Sequence, residues 1–360
     1  MVRLARSEVF DPDEIAIAHT CNRTVRRCFL MGDDPVSGKN FDHRKEWIEQ
    51  RLIQFAAAFG IDLLGYAILA THLHLILRSR PDVVATWDNR EVARRWMLIC
   101  PHRRGADGAP LPPTEPEIES IAGCHDKCAE IRKRLSSISW WMRLLCQRVA
   151  MRANREDQES GHFFQARFHA TRIADEASLL ACAAYVDLNP IRAAIAETLE
   201  QSDHTSVQRR IQAITAGPDP APEAGEPAPR APADAIAGFL SPITIAERSD
   251  PIGPCASAAG QRCSDKGFLA MSLTDYLQML DWTARQVAPG KRGRTPENTP
   301  PVLQRLGLDA ASWCELVSDF GRLFGTVAGR PECVDSMRSH RTDRRYHLRR
   351  RARELLTRAG

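Results

Sequence analysis

The chain has 360 residues, 43% of them hydrophobic and 26% charged, which is ordinary for a globular protein of roughly two or three domains. The sequence has no apolar run of the ~18 residues that a membrane span needs, and the N-terminal residues lack the apolar core of a signal peptide. We therefore predict a cytoplasmic protein without a membrane partner. The formal net charge of +4 is informative only because the arginines are clustered.

The eleven cysteines are scattered along the chain. An odd number of cysteines without a secretion signal argues against a disulfide framework. Cys124 and Cys128 have no second ligand pair at metal-ligand spacing, so the favoured interpretation is reduced thiols and not a zinc site.

The first 80 residues predict a strand, a helix and two more strands. Residues 14–20 alternate between apolar and polar side chains, and residues 42–59 carry an apolar stripe at helical spacing. Residues 61–69 and 72–79 are apolar runs joined by a two-residue connection, as in a tight antiparallel hairpin. This order is the first half of a ferredoxin-like α+β sandwich with an antiparallel sheet.

The next segment, residues 81–158, is charged and predicts a helical insertion. Residues 163–173 then predict a short strand, and Asp175 can cap the helix that follows. This strand and helix complete the predicted N-terminal domain, residues 1–215.

A Pro- and Ala-rich stretch, residues 216–236, predicts an extended linker. Beyond it, residues 237–360 predict a mostly helical region that is rich in arginine near its end. The sequence does not define the role of this C-terminal region beyond a possible contact with DNA.

The stretch ATHLHLILRS places two histidines one residue apart in a predicted strand. Because successive strand side chains point to opposite faces, His72 and His74 share one face, and three leucines share the other. We expect the leucine face to be core and the histidine face to be open, with two nitrogen ligands side by side. For this pattern alone, two polar residues on a solvated sheet face are the alternative interpretation.

A second informative stretch is AAYVDLNPIRAA. Tyr185 and Asn189 lie one helical turn apart on the same face, and Pro190 ends or kinks the helix. With His72 and His74, Asn189 would give a three-ligand site that suits Mg²⁺ or Mn²⁺, completed by water or a phosphate oxygen. Tyr185 beside such a site could attack a phosphodiester. An amphipathic tyrosine with a packed ring and a solvated hydroxyl is the alternative.

His-Leu-His at residues 72–74 and Tyr-x-x-x-Asn-Pro at residues 185–190 resemble the motifs of the HUH single-tyrosine transposases. The resemblance is strongest to the branch that includes the REP-associated tyrosine transposases, and it covers residues 12–200. That family commonly has Pro-Asn directly before the first histidine, where this chain has Ala70 and Thr71. This departure changes the loop but not the ligands.

The resemblance implies a transposase that cleaves and rejoins single-stranded DNA, often beside a hairpin. Tyr185 would form a 5′-phosphotyrosine intermediate, with the divalent cation held by His72, His74 and Asn189. The resemblance also implies a homodimer. A replication initiator or relaxase of the same class, and a non-catalytic nucleic-acid-binding regulator derived from the same fold, are the alternatives.

Clustered basic residues are predicted to contact DNA. The N-terminal and central groups could line a surface that tracks phosphates. The C-terminal group could add affinity without reading sequence, or it could be a solvated helix or a disordered tail. The three groups are Arg23, Arg26 and Arg27; Arg167, His169 and Arg172; and Arg344, Arg345, Arg349 and Arg350.

Overall fold

The structure is a computed structural model that describes residues 11, 13–25, 28–35, 37–106, 109–216, 236–245, 253–287, 300–340 and 346–357. These residues form an α+β protein built on a five-stranded mixed sheet. Among the described helices, none is long and apolar enough to cross a membrane.

The strands are β1 (Ile17–Arg23), β2 (Ile61–Ile68), β3 (His72–Ser79), β4 (His169–Ile173) and β5 (Val327–Ala328). The helices are α1 (Asp42–Ala58), α2 (Pro81–Thr86), α3 (Asn89–Ile99), α4 (Glu115–Ala122), α5 (His125–Leu135), α6 (Ile138–Asp157), α7 (Glu176–Asp187), α8 (Asn189–Arg192), α9 (Ser206–Thr215), α10 (Leu273–Val287), α11 (Pro301–Arg305), α12 (Ala310–Leu323), α13 (Pro331–His340) and α14 (Arg350–Thr357).

The strands lie in the order β2-β3-β1-β4-β5. Neighbours among the first four strands are antiparallel, whereas β5 pairs with β4 in parallel. The predicted antiparallel sheet is therefore extended by a parallel edge strand that the sequence did not indicate, because two residues are too few to show a strand period.

The sheet has a hydrophobic core on each face. One core contains the three leucines of β3 together with Phe55 of α1 and Trp141 of α6. The other contains Ile76 of β3 with Leu180 of α7 and Phe320 of α12. Because strand side chains alternate, the even-numbered positions of β3 face α7 and α12. The candidate site lies on this second face.

The described residues of the predicted helical insertion form five helices, α2 to α6. Ile99 of α3, Ile121 of α4 and Ile131 of α5 are buried in the same core as α1 and α6. These helices therefore extend the layer on the face away from the candidate site.

The C-terminal region shares the second core with the sheet. Tyr276 of α10, Trp313 of α12 and Leu355 of α14 are buried in the cluster that contains Ile76 of β3. Most of the predicted linker, residues 217–235, lies outside the described residues. The predicted boundary therefore separates two segments of sequence that contribute to one core.

A buried ionic network also joins the C-terminal region to β2. Asp62 is fully buried, and its carboxylate accepts hydrogen bonds from the backbone N–H and the hydroxyl of Ser264 at 3.0 and 2.9 Å. The same carboxylate accepts from Arg78 at 2.8 Å and from Arg80 at 3.3 Å. Replacing it would leave buried donors without their acceptor.

We therefore expect Asp62→Ala to lower the free energy of unfolding by about 3–5 kcal/mol, because Arg78 would lose its buried counter-ion. Asp281→Ala is the matched control: Asp281 is an exposed partner of Arg285, and its loss should cost about 0.5 kcal/mol or less. Urea denaturation measures both variants. Equal unfolding free energies for the two would show that the network does not hold the C-terminal region.

Candidate active site

A cavity of about 580 Å³ is lined by residues of β1, β3 and β4 on one side and of α7, α8 and α12 on the other. Among the described residues that line it are four arginines and a single carboxylate, Asp319. The arginines come from separate parts of the chain: Arg23, Arg167, Arg192 and Arg322. A cavity with this charge balance attracts a polyanion.

His72 and His74 lie on one face of β3, as the strand period predicts, with ring centroids 4.9 Å apart. The three leucines of β3 are fully buried on the opposite face, as predicted. The expectation of an open histidine face is wrong for His74, which is only 1% exposed. Helices α7 and α12 pack on this face, and sequence periodicity does not reveal such a cover.

A third histidine, His19 of β1, lies on the same face and was not predicted as a site residue. Its Nε2 is 2.8 Å from Nδ1 of His74, and the two rings meet edge to edge in nearly one plane, with centroids 5.1 Å apart. The signal that could have identified it is the strand period combined with strand order. Because β1 lies beside β3, alternate residues of the two strands share a face.

Tyr185, near the C-terminal end of α7, lies beside His19 and His74. Its ring is edge-on to His74 at 5.4 Å and to His19 at 5.8 Å between centroids. A Cβ at Gly321 of α12 would lie 3.2 Å from its hydroxyl oxygen, so that oxygen is close to the α12 backbone. The guanidinium of Arg192 lies 4.7 Å from the ring centroid.

The other three tyrosines are at most 2% exposed and do not line the cavity. Tyr66 is buried in the core, and its hydroxyl donates to Glu49 at 2.7 Å. The Tyr276 hydroxyl donates to Asp187 at 2.7 Å. Of the four tyrosines, only Tyr185 both lines the cavity and contacts His19 and His74.

Burial controls the protonation of these groups. It lowers the pKa of His19 to about 3 and that of His72 to about 4, and it holds the pKa of His74 well below its usual value. All three imidazoles are therefore neutral at pH 7 and carry lone pairs. Burial raises the pKa of Tyr185, while the charge of Arg192 opposes this rise.

Asn189 begins α8, directly after the helix break that Pro190 predicts, and is 8% exposed. Of the described residues on this short helix, Arg192 lines the cavity and Asn189 does not. Asp187 accepts hydrogen bonds from Ser206 and Tyr276 and does not line the cavity. The role of Asn189 as a ligand remains a prediction.

His72 and His74 together have the chemistry of a cation site. The Nε2 atom of His74 is buried and has no hydrogen-bond partner among the described residues, and His72 adds a second neutral imidazole. Within the described part of the chain, no group of three or more His, Cys, Asp or Glu side chains is placed to hold a metal ion. A cation would therefore combine two imidazole nitrogens with oxygens from an amide, water or phosphate.

The structure brings together three of the predicted basic residues. Arg23, Arg167 and His169 all line the cavity. Arg172 does not, because alternation along β4 turns it to the opposite face from His169, where it pairs with Glu14 at 3.1 Å. Arg172 is therefore not part of the basic surface that Arg23, Arg167 and His169 form in the cavity.

The described C-terminal arginines, Arg349 and Arg350, lie at the start of α14, whose inner side chains are buried in the second core. The described part of this segment is therefore a packed helix and not a disordered tail. Arg349 donates to the carbonyl of Arg322, and Arg350 donates to Glu354 at 3.0 Å. Four predicted contacts lie outside the described residues: Arg26, Arg27, Arg344 and Arg345.

Helix α12 supplies a wall of the cavity that no sequence pattern indicated. The Phe320 ring lies 5.6 Å from that of Tyr185 and 5.9 Å from that of His19. The helix departs from helical geometry at Asp319, with φ −115° and ψ 17°. The carbonyl of Ser318 accepts a hydrogen bond from Arg192. The C-terminal region, whose role the sequence left open, therefore borders Tyr185.

Replacing Arg192 with methionine should shift the pH dependence of any reaction of Tyr185 to higher pH. The deprotonated phenol is the reactive form, and removing the guanidinium removes a charge that lowers the pKa of Tyr185. At pH 7 we expect a rate loss on the order of 10- to 100-fold. Arg192→Lys keeps the charge and should retain most of the rate. Unshifted pH–rate profiles for Arg192→Met would contradict this role.

No family model matches the sequence, and no curated protein matches it. Among solved structures, the chain is similar to a REP-associated tyrosine transposase bound to a REP hairpin. The identity is 11% and the TM-score is 0.34, over 59% of this chain and 86% of that one. A TM-score this low does not establish a shared fold.

Proposed function

We propose that this protein cleaves and rejoins single-stranded DNA with a tyrosine nucleophile and a divalent cation, as a transposase or a domesticated relative of one. The observation that carries the proposal is the environment of Tyr185. Its ring stands 5.4 Å from a neutral, buried imidazole, in a cavity that four arginines line. A tyrosine used only for packing would not need this combination of lone pairs and cationic groups.

The chemistry follows from the groups present. The Tyr185 hydroxyl gives its proton to solvent, and its oxygen attacks the phosphorus and forms a new P–O bond while the bond from phosphorus to the 3′ oxygen breaks. That oxygen takes a proton from solvent and leaves as a 3′-hydroxyl, so the phosphate stays on Tyr185 at the 5′ side of the cut. Because the phosphoester is conserved, a new 3′-hydroxyl can reverse the step without ATP.

Other residues in and near the cavity support this reaction. Arg192 favours the phenolate, and Arg23 and Arg167 provide charge for the neighbouring phosphates. We propose that His72, His74 and Asn189 hold Mg²⁺ or Mn²⁺. When bound, that cation would polarise the scissile phosphate.

We also infer that β1 to β4 form a ferredoxin-like sheet. The order β2-β3-β1-β4 with antiparallel neighbours supports this assignment, as do the helix between β1 and β2 and the helix before β4. In this interpretation β5 and α12 are additions from the C-terminal region. The proposals of a hairpin substrate and a homodimer rest on the motif resemblance.

The test is a search for the covalent adduct. The full chain is incubated with Mn²⁺ and a library of labelled single-stranded oligonucleotides, with and without hairpins, and then denatured. We expect labelled DNA to stay on the protein by its 5′ phosphate, and mass spectrometry to place it on the peptide that contains Tyr185. An adduct on another residue, or its absence across the library, would contradict the proposal.

The same experiment separates the alternative functions. A non-catalytic regulator would bind the oligonucleotides and form no adduct. A replication initiator or relaxase would share the adduct, so the DNA around the gene becomes the discriminating observation. Short inverted repeats in that DNA would favour transposition.

A further inference from the structure

The protons on the His19–His74 pair can be assigned from the hydrogen bonds around it. Nε2 of His19 and Nδ1 of His74 are 2.8 Å apart, so one of these two atoms carries a proton and the other accepts it. If His19 donated, the proton of neutral His74 would lie on Nε2. That atom is buried and has no hydrogen-bond partner among the described residues, so a buried N–H would be unpaired.

The opposite assignment leaves no such donor. If Nδ1 of His74 donates to Nε2 of His19, then Nε2 of His74 carries a lone pair. His19 then carries its own proton on Nδ1. Among the described residues, neither nitrogen of His19 is a buried atom without a hydrogen-bond partner. The hydrogen bonds therefore favour His74 with its proton on Nδ1.

His19 is itself fixed. It is 4% exposed, lies opposite Ile76 of β3 and Thr171 of β4 in the strand register, and meets the Phe320 ring edge-on at 5.9 Å. Its in-plane hydrogen bond to His74, with the two ring planes 11° apart, leaves His74 little freedom to rotate. A residue from β1 thus determines the orientation of a histidine on β3.

We propose that His19 is a positioning residue that holds His74 with its proton on Nδ1, leaving the Nε2 lone pair for a divalent cation. The part of this inference that concerns the cation rests on the proposed function. The part that concerns the proton does not. Outer partners of this kind fix the tautomer of a ligating histidine and raise its basicity.

The tautomer can be read directly in the wild-type protein. A long-range ¹H–¹⁵N spectrum of the histidine-labelled full chain distinguishes a proton on Nδ1 from one on Nε2, and His74→Gln assigns the signal. We expect the Nδ1-protonated form of His74. A proton on Nε2 would overturn the proposal, and this measurement does not depend on any His19 variant folding.

Two variants test the effect on the cation. His19→Leu removes the acceptor and should weaken Mn²⁺ binding by about 10- to 100-fold, whereas His19→Gln supplies an amide oxygen and should stay within about threefold of wild type. Calorimetric titration with Mn²⁺ measures both. His125→Leu, which changes an exposed histidine of α5, is the control and should bind as wild type does.

The outcomes separate the inference from the function on which it rests. If wild type binds Mn²⁺ and His19→Leu binds it equally well, the inference is wrong while the proposed cation chemistry stands. If wild type binds no Mn²⁺ but His74 carries its proton on Nδ1, the proposed cation chemistry is wrong, while the role of His19 in fixing the tautomer of His74 is supported.

Discussion

Tyr185→Phe is expected to abolish the covalent protein–DNA adduct and to slow cleavage by on the order of 10³-fold or more, because the variant lacks the attacking oxygen. The substitution keeps the ring and therefore its contacts with His19, His74 and Phe320. The fold and the affinity for Mn²⁺ should be unchanged. Adduct on a denaturing gel, cleavage rate and thermal unfolding measure these three properties.

Tyr276→Phe is the matched control, because it removes a buried tyrosine oxygen outside the cavity. That change takes a donor from the buried carboxylate of Asp187 and should cost about 1–3 kcal/mol of stability while the adduct survives. If the Tyr185 variant still forms an adduct, the nucleophile is another residue. If it cleaves at the wild-type rate without any adduct, water is the nucleophile.

Local patterns predicted the elements that carry the two motifs. Alternation along residues 72–79 placed the histidine pair on one face and the leucines in the opposite core. Asp175 caps α7 by accepting from the backbone of Ser178, and the helix breaks before Pro190, as their side-chain chemistry requires. Each of these features is set within a few residues of sequence, where period and capping rules apply.

The missed features depend on contacts between distant segments. His19 joins the site only because β1 pairs with β3, a register that spacing along the chain does not give. Phe320 reaches Tyr185 across more than a hundred residues, and no motif around it indicates that contact. The burial of His74 also depends on a distant segment, because α12, which packs on this face, lies beyond the predicted linker.

The cover over His74 determines how the cation site must be tested. On an open face, alanine at both histidines would leave the fold intact. His74, however, is buried against His19, so His74→Ala would leave a small cavity and an unpaired imidazole. We expect a loss of about 1–3 kcal/mol of stability for that variant. Variants must therefore be compared at a temperature where all of them are folded.

Under those conditions, changing both His72 and His74 to alanine should abolish divalent-dependent cleavage and weaken Mn²⁺ binding at least ~100-fold, because only oxygen ligands would remain. DNA binding should persist, since Arg23 and Arg167 still line the cavity. The variant thus loses the cation and the adduct, whereas Tyr185→Phe loses only the adduct. His43→Ala, which changes a half-exposed histidine paired with Glu156, is the control for histidine loss in general. Unchanged cation dependence in the double variant would show that a cation, if one acts, is held elsewhere.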